Sequence, residues 1–142
     1  MVRIGNMNAT LMRGDKPLFH FVIERGEVTE YAFLCSKDDK DLVYEFWFYQ
    51  TPERAILEFL DDRTVPETRQ GLQHDMKCAG IPYYDPELIL KFNHAACVTD
   101  DWWLQFDGQS FTWQEIYDGM MNNWELTFSG KWNSSLSVGR PF

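Results

Sequence analysis

Ala9-Thr10-Leu11-Met12 and Leu18-Phe19-His20-Phe21-Val22-Ile23 are two short runs of apolar and β-favouring residues, separated by Arg13-Gly14-Asp15-Lys16-Pro17. Gly, Asp and Pro favour chain reversal, so the stretch predicts a hairpin and with it an antiparallel sheet at the start of the domain. Arg25-Gly26-Glu27 is a second turn, leading to Val28–Leu34, and charged Lys37–Asp41 then separates this strand from Leu42-Val43-Tyr44-Glu45-Phe46-Trp47-Phe48-Tyr49. Periodicity does not distinguish strand from buried helix in such a continuous run; its length and aromatic content favour strand.

Helix signals follow. Thr51-Pro52 is an N-cap with proline at the first helical position, Ile56, Leu57 and Leu60 share a face, and the helix should end near Asp62. A second helix is expected from Glu67 to Ala79, stopped by Gly80 and Pro82, and a third after Asp85-Pro86. Trp102–Phe106 reads as a strand, Asp107-Gly108 as a turn, Thr112-Trp113-Gln114-Glu115 as a capping box opening a helix, and Leu126–Trp132 as one more strand. The expected fold is α+β: an N-terminal antiparallel sheet, a central helical cluster, and a C-terminal strand and helix packed on the sheet. Phe19, Phe21, Phe46, Phe48, Leu57, Leu60, Leu88, Leu90, Leu104, Phe106 and Ile116 are the expected core. One domain spans residues 1–132, and residues 133–142, rich in Ser, Gly and Pro, form a loose tail. The 142 residues, 44% of them hydrophobic, have room for a single core.

Acidic residues outnumber basic ones by 22 to 13, a net charge of −9, which disfavours nucleic-acid phosphates and anionic lipid as direct partners and favours a basic protein surface. No apolar run approaches the roughly 20 residues of a membrane helix, Asn6 and Asn8 interrupt any signal-like stretch, and a cytoplasmic location is expected. Cys35, Cys78 and Cys97 are an odd number, read as free thiols.

Candidate chemistry is sparse. His74 with Cys78 and His94 with Cys97 are two Cys/His pairs of the kind zinc uses, but neither includes a Cys-x2-Cys knuckle, and core cysteines with surface histidines are much the simpler account; no metal or cofactor is expected. Asp100-Asp101 before Trp102-Trp103 could serve acid/base or cation chemistry. Adjacent strand residues point to opposite faces, so a polar turn before a strand is the simpler reading. No nucleophile elbow or phosphate loop is present, and no enzyme is expected. Charge placement says more: residues 92–130 hold Asp100, Asp101, Asp107, Glu115, Asp118 and Glu125 without one Lys or Arg, alongside Trp102, Trp103, Trp113 and Trp124. Carboxylates that steer and rings that anchor suit a basic protein partner, and Asp100, Asp101, Trp103, Asp107, Glu115 and Asp118 are the expected contacts; an ordinary acidic surface around core tryptophans is the plain alternative.

Three segments resemble a known family. Asp62–Leu72 (DRTVPETRQGL) is similar to an R-x-(I/V)-P-x-x-R signature, Thr99–Leu104 (TDDWWL) to an S-D-x-Y-W-I step, and Phe111–Ile116 (FTWQEI) to L-x-W-x-D-(I/V)-N. Together with the opening hairpin, they resemble, over about residues 10–120, the accessory region that precedes the kinase-like domain in HipA-like proteins of Firmicutes. Tyr117 stands where that pattern has Asn and Trp102 where it has Tyr. The chain ends where the kinase-like domain would begin, and no catalytic-loop set follows. The resemblance thus implies a partner-binding accessory module without the enzyme, a form plausible in phages and mobile elements. Within its signature, Arg63 and Arg69 flank Pro66, and ion pairs to Asp61, Asp62 or Asp101 would hold the helical cluster to the C-terminal strand. The competing expectation is an acidic inhibitor of a nucleic-acid-binding enzyme, of anti-CRISPR or DNA-mimic type, or a toxin-immunity protein.

Overall fold

A computed structural model describes residues 4–68, 70–97, 99–122, 125–126 and 130–131, with backbone alone at 75, 78, 79, 122, 125, 126, 130 and 131. The fold is α+β. Strands β1 (Met7–Arg13), β2 (Lys16–Glu24), β3 (Glu27–Phe33) and β4 (Trp102–Phe106) form an antiparallel sheet in the order β3-β2-β1-β4. Arg13 pairs with Lys16, so the predicted five-residue turn shortens to Gly14-Asp15. Arg25 and Gly26 both have positive φ, 53° and 83°, the geometry whose twist matches a β2–β3 hairpin.

Helices α1 (Glu45–Phe48), α2 (Pro52–Asp62), α3 (Leu72–Ala79), α4 (Pro86–Asn93) and α5 (Trp113–Asn122) complete the domain, with a small β5–β6 ladder (Glu125–Leu126 and Gly130–Lys131) inside the stretch expected as one strand. The Thr51 side chain accepts from Arg54 N at 3.2 Å and Asp85 from Glu87 N at 2.9 Å, as their positions before proline predict. At α5, Thr112 and Glu115 form the expected reciprocal box, with Thr112 N donating to Glu115 Oε1 at 3.0 Å and Glu115 N to Thr112 Oγ1 at 3.3 Å.

Register determines which face each side chain takes. Leu11 faces Phe19 on β2 and Leu104 on β4, and this side packs against Ile56, Phe59 and Leu60 of α2. The neighbouring pair Met12–Trp103 therefore points the other way, where Ile116 and Met120 of α5 cover it. A third cluster joins Val65, Leu72, Met76, Ile81 and Ile89. Among the described residues no helix is long and apolar enough to cross a membrane.

Three expectations change. The run Leu42–Tyr49 is not a strand: Leu42, Val43 and Glu45 are buried while Tyr44, Trp47 and Phe48 are exposed, a helix-like spacing that ends in α1. Phe48 is accordingly 73% exposed and not core, while Phe46, Leu57 and Leu88 lie half-buried at the core's border. The second long helix starts at Leu72 and not at Glu67, because Gly71 takes a left-handed conformation (φ 80°) that breaks any earlier turn. The tail, residues 133–142, lies outside the described residues.

Candidate functional site

Four of the five acidic residues expected as contacts are engaged within the domain. Asp100 accepts from Arg63 Nη2 at 2.6 Å, and its other oxygen from Trp102 N at 3.1 Å, which makes it the polar turn before β4. Asp101 is paired with Arg13 Nε at 3.2 Å. Asp107 is exposed beyond the far end of β4, so about six residues of extended chain, roughly 20 Å, separate it from Asp101. Glu115 is engaged in the helix cap, and Asp118 accepts from Gln114 Nε2 at 2.8 Å one turn away. Trp103 is corrected outright: it is 0% exposed, its indole donates to Gly14 O at 2.7 Å, and as a core side chain it offers no surface to a partner. Trp124 and Arg69 lie outside the described residues.

Arg63 is a scaffold residue. It caps α2, donates to Ala95 O at 3.3 Å and pairs with Asp100, not with the expected Asp61, Asp62 or Asp101. Pro66 is exposed in the turn after α2. Of the Cys/His pairs, His94 is buried with Nδ1 2.9 Å from Leu104 O, and burial lowers its pKa to about 4. Cys97 Sγ lies 3.0 Å from Thr99 Oγ1, and the Cys78 side chain is outside the described set. Among the described residues no group of three His, Cys, Asp or Glu could hold a metal ion.

What the structure does bring together is an aromatic surface on and around α1. Phe46 turns inward, 5.0 Å from the Phe19 ring and 5.9 Å from Phe33, which fixes the helix against the sheet. Tyr44, Trp47 and Phe48 turn outward, with the Tyr44 and Phe48 rings 5.5 Å apart. Beside them a groove of about 330 Å³ runs between β3 and the start of α2, lined by Tyr31, Phe33, Phe46, Tyr49, Pro52 and Lys37.

Beneath α1 lies a second cavity of about 350 Å³, where Glu45 and Asp62 meet Arg63, Asp100, Cys97 and Trp102. Burial, then a hydrogen bond to Asp62, pushes the Glu45 carboxyl up to about 7. Glu45 and Asp62 thus bring the start of α1 and the end of α2 to one cavity. Sequence reasoning missed this surface, although a signal was present: five aromatics in the six residues from Tyr44 to Tyr49 exceed what one short element can bury on a single face. No family model, no curated protein and no solved structure matches the chain.

Proposed function

We propose that the chain is a non-enzymatic protein-binding module whose contact surface centres on Tyr44, Trp47 and Phe48. The carrying observation is that α1, a four-residue helix, and its N-cap Tyr44 together expose three large rings, Tyr44, Trp47 and Phe48, while Phe46 and Glu45 anchor the helix from below. Clustered exposed aromatics are costly on a solvated surface, and such rings supply most of the energy where proteins meet. The net charge of −9 favours a basic partner. The resemblance to a HipA-like accessory region supports the same reading. An acidic inhibitor that occupies a phosphate-binding channel has less support, because Asp100 and Asp101 are already engaged by Arg63 and Arg13.

The test is affinity capture of the tagged chain from host lysate beside a Trp47→Ala/Phe48→Ala variant. Both side chains are exposed, so the variant should stay folded, within about 0.5 kcal/mol per substitution. A reproducible protein retained by the wild type and lost by the variant is expected. Equal capture by both, or no reproducible protein, would refute the reading.

A further inference from the structure

We propose that β3 is the docking edge for an extended segment of a partner protein in which apolar residues alternate with lysine or arginine, added to the sheet as a further strand. This rests on the protein-binding reading above. Among the described residues β3 is the outermost strand on its side of the sheet, whereas at the opposite edge, β4, Leu104 N donates to His94 O outside the ladder at 2.8 Å. Leu34 N donates to Leu18 O at 2.9 Å, and the register pairs Ala32 with His20, so these two positions bond inward to β2. Tyr31 and Phe33 alternate with them and aim N–H and C=O outward, away from β2. β3 (EVTEYAF) contains neither lysine nor proline; its edge is marked instead by Glu27, Glu30 and a register irregularity between them, which select against a like-charged strand.

The side chains specify the occupant. Val22 pairs with Glu30 and Ile23 with Val28, so Thr29 is an extra residue, and its hydroxyl lies 3.2 Å from Glu24 Oε1. This bulge places Glu27 opposite Glu24 and Glu30 opposite Val22, two residues apart on β2, and both glutamates therefore share one face. The other face carries Tyr31 and Phe33, whose rings lie 5.6 and 5.0 Å from Phe19 and which line the groove beside α1. An added strand thus meets carboxylates on one side and an aromatic groove on the other, which calls for basic and apolar residues in alternation. Lys37 lines the groove, on the apolar side, and Arg25 sits in the turn beyond Glu27. A second copy of β3 paired about Glu30 would set glutamate against glutamate.

The probes are a nine-residue peptide alternating lysine and valine and its glutamate-for-lysine counterpart, titrated into the isotope-labelled full chain. The lysine peptide should bind at least tenfold more tightly, slow hydrogen exchange at the Tyr31 and Phe33 amides, and weaken with salt. Glu27→Lys/Glu30→Lys, at two exposed positions, should reverse the preference. Equal affinities, or unchanged exchange at those amides, would overturn the proposal. So would a dimer that the peptide fails to displace, or binding that appears only after residues 132–142 are removed, since the edge would then belong to a second copy or to the chain's own end. If Trp47→Ala/Phe48→Ala abolishes partner capture while the charge reversal leaves it intact, the protein-binding reading stands and strand addition fails.

Discussion

Glu45 is 7% exposed at the start of α1, with its carboxyl against Asp62 and its folded-state pKa near 7, above the ordinary 4.5. The folded chain therefore holds a proton that the unfolded chain releases, so this contribution to stability is complete below about 4.5 and is lost as pH rises through about 7. Screened by solvent at the cavity mouth, its full size is on the order of 1–3 kcal/mol. His94 acts in the opposite sense: with its pKa lowered from 6.5 to about 4, it contributes stability above 6.5 that is lost as pH falls toward 4. The two slopes oppose each other between these limits. Urea titrations should show the stability of the wild type relative to Glu45→Gln falling by roughly 1–3 kcal/mol from about pH 4.5 to pH 8, with Glu45→Gln itself losing stability on acidification because His94 is left unopposed. A pH-independent difference would mean that Glu45 is solvated. Trp103 permits a simpler test. Trp103→Phe keeps an aromatic ring but leaves Gly14 O without its indole donor, and a loss of about 1–3 kcal/mol in the same titrations is expected.

At the scale of elements, Arg63 joins α2 to the segment between α4 and β4 through Ala95 O and Asp100, with its guanidinium 5.0 Å over the Phe59 ring. Removing it leaves a half-buried carboxylate without its cation, so Arg63→Ala should cost about 3 kcal/mol in chemical unfolding. Arg63→Ala/Asp100→Ala should cost less than the sum of the two single changes; strict additivity would show that the pair is not coupled. This pair also marks how far the sequence could be read. Thr51-Pro52, Asp85-Pro86 and Thr112-x-x-Glu115 were legible because a cap is a local contract between residues two or three apart. The hairpin Ala9–Ile23 was legible because Gly14-Asp15 and two alternating strands specify one register. The partner of Arg63 lies 37 positions away and is chosen by packing, so no local signal distinguished Asp100 from Asp61, Asp62 or Asp101. The Leu42–Tyr49 run carried too many apolar residues for periodicity to separate helix from strand, and the most exposed aromatics were hidden in it. Trp102 and Trp103 show the same limit: alternation places them on opposite faces, but only the position of α5 determines that Trp103 is the fully buried one.

For the whole molecule, charge and aromatic surface act at different stages of association. A net charge of −9 extends attraction beyond contact and raises the rate of encounter with a basic partner, an effect that salt screens over a length of about 10 Å at 0.1 M. The rings of Tyr44, Trp47 and Phe48 act only after contact, by removing apolar area from water, and so set how long a complex lasts. The two contributions are therefore separable once a partner is in hand. Trp47→Ala/Phe48→Ala should raise the dissociation rate at least tenfold while leaving the salt dependence of association unchanged. Glu27→Lys/Glu30→Lys should slow association and flatten its salt dependence, because it changes the net charge by four units at the proposed edge. Surface-immobilised kinetics at three salt concentrations would read both rates directly. A Trp47→Ala/Phe48→Ala effect confined to association would place the rings outside the contact, and a salt dependence insensitive to the charge reversal would place the steering field elsewhere on the acidic surface, for instance at Asp107 or at Glu115 and Asp118 of α5.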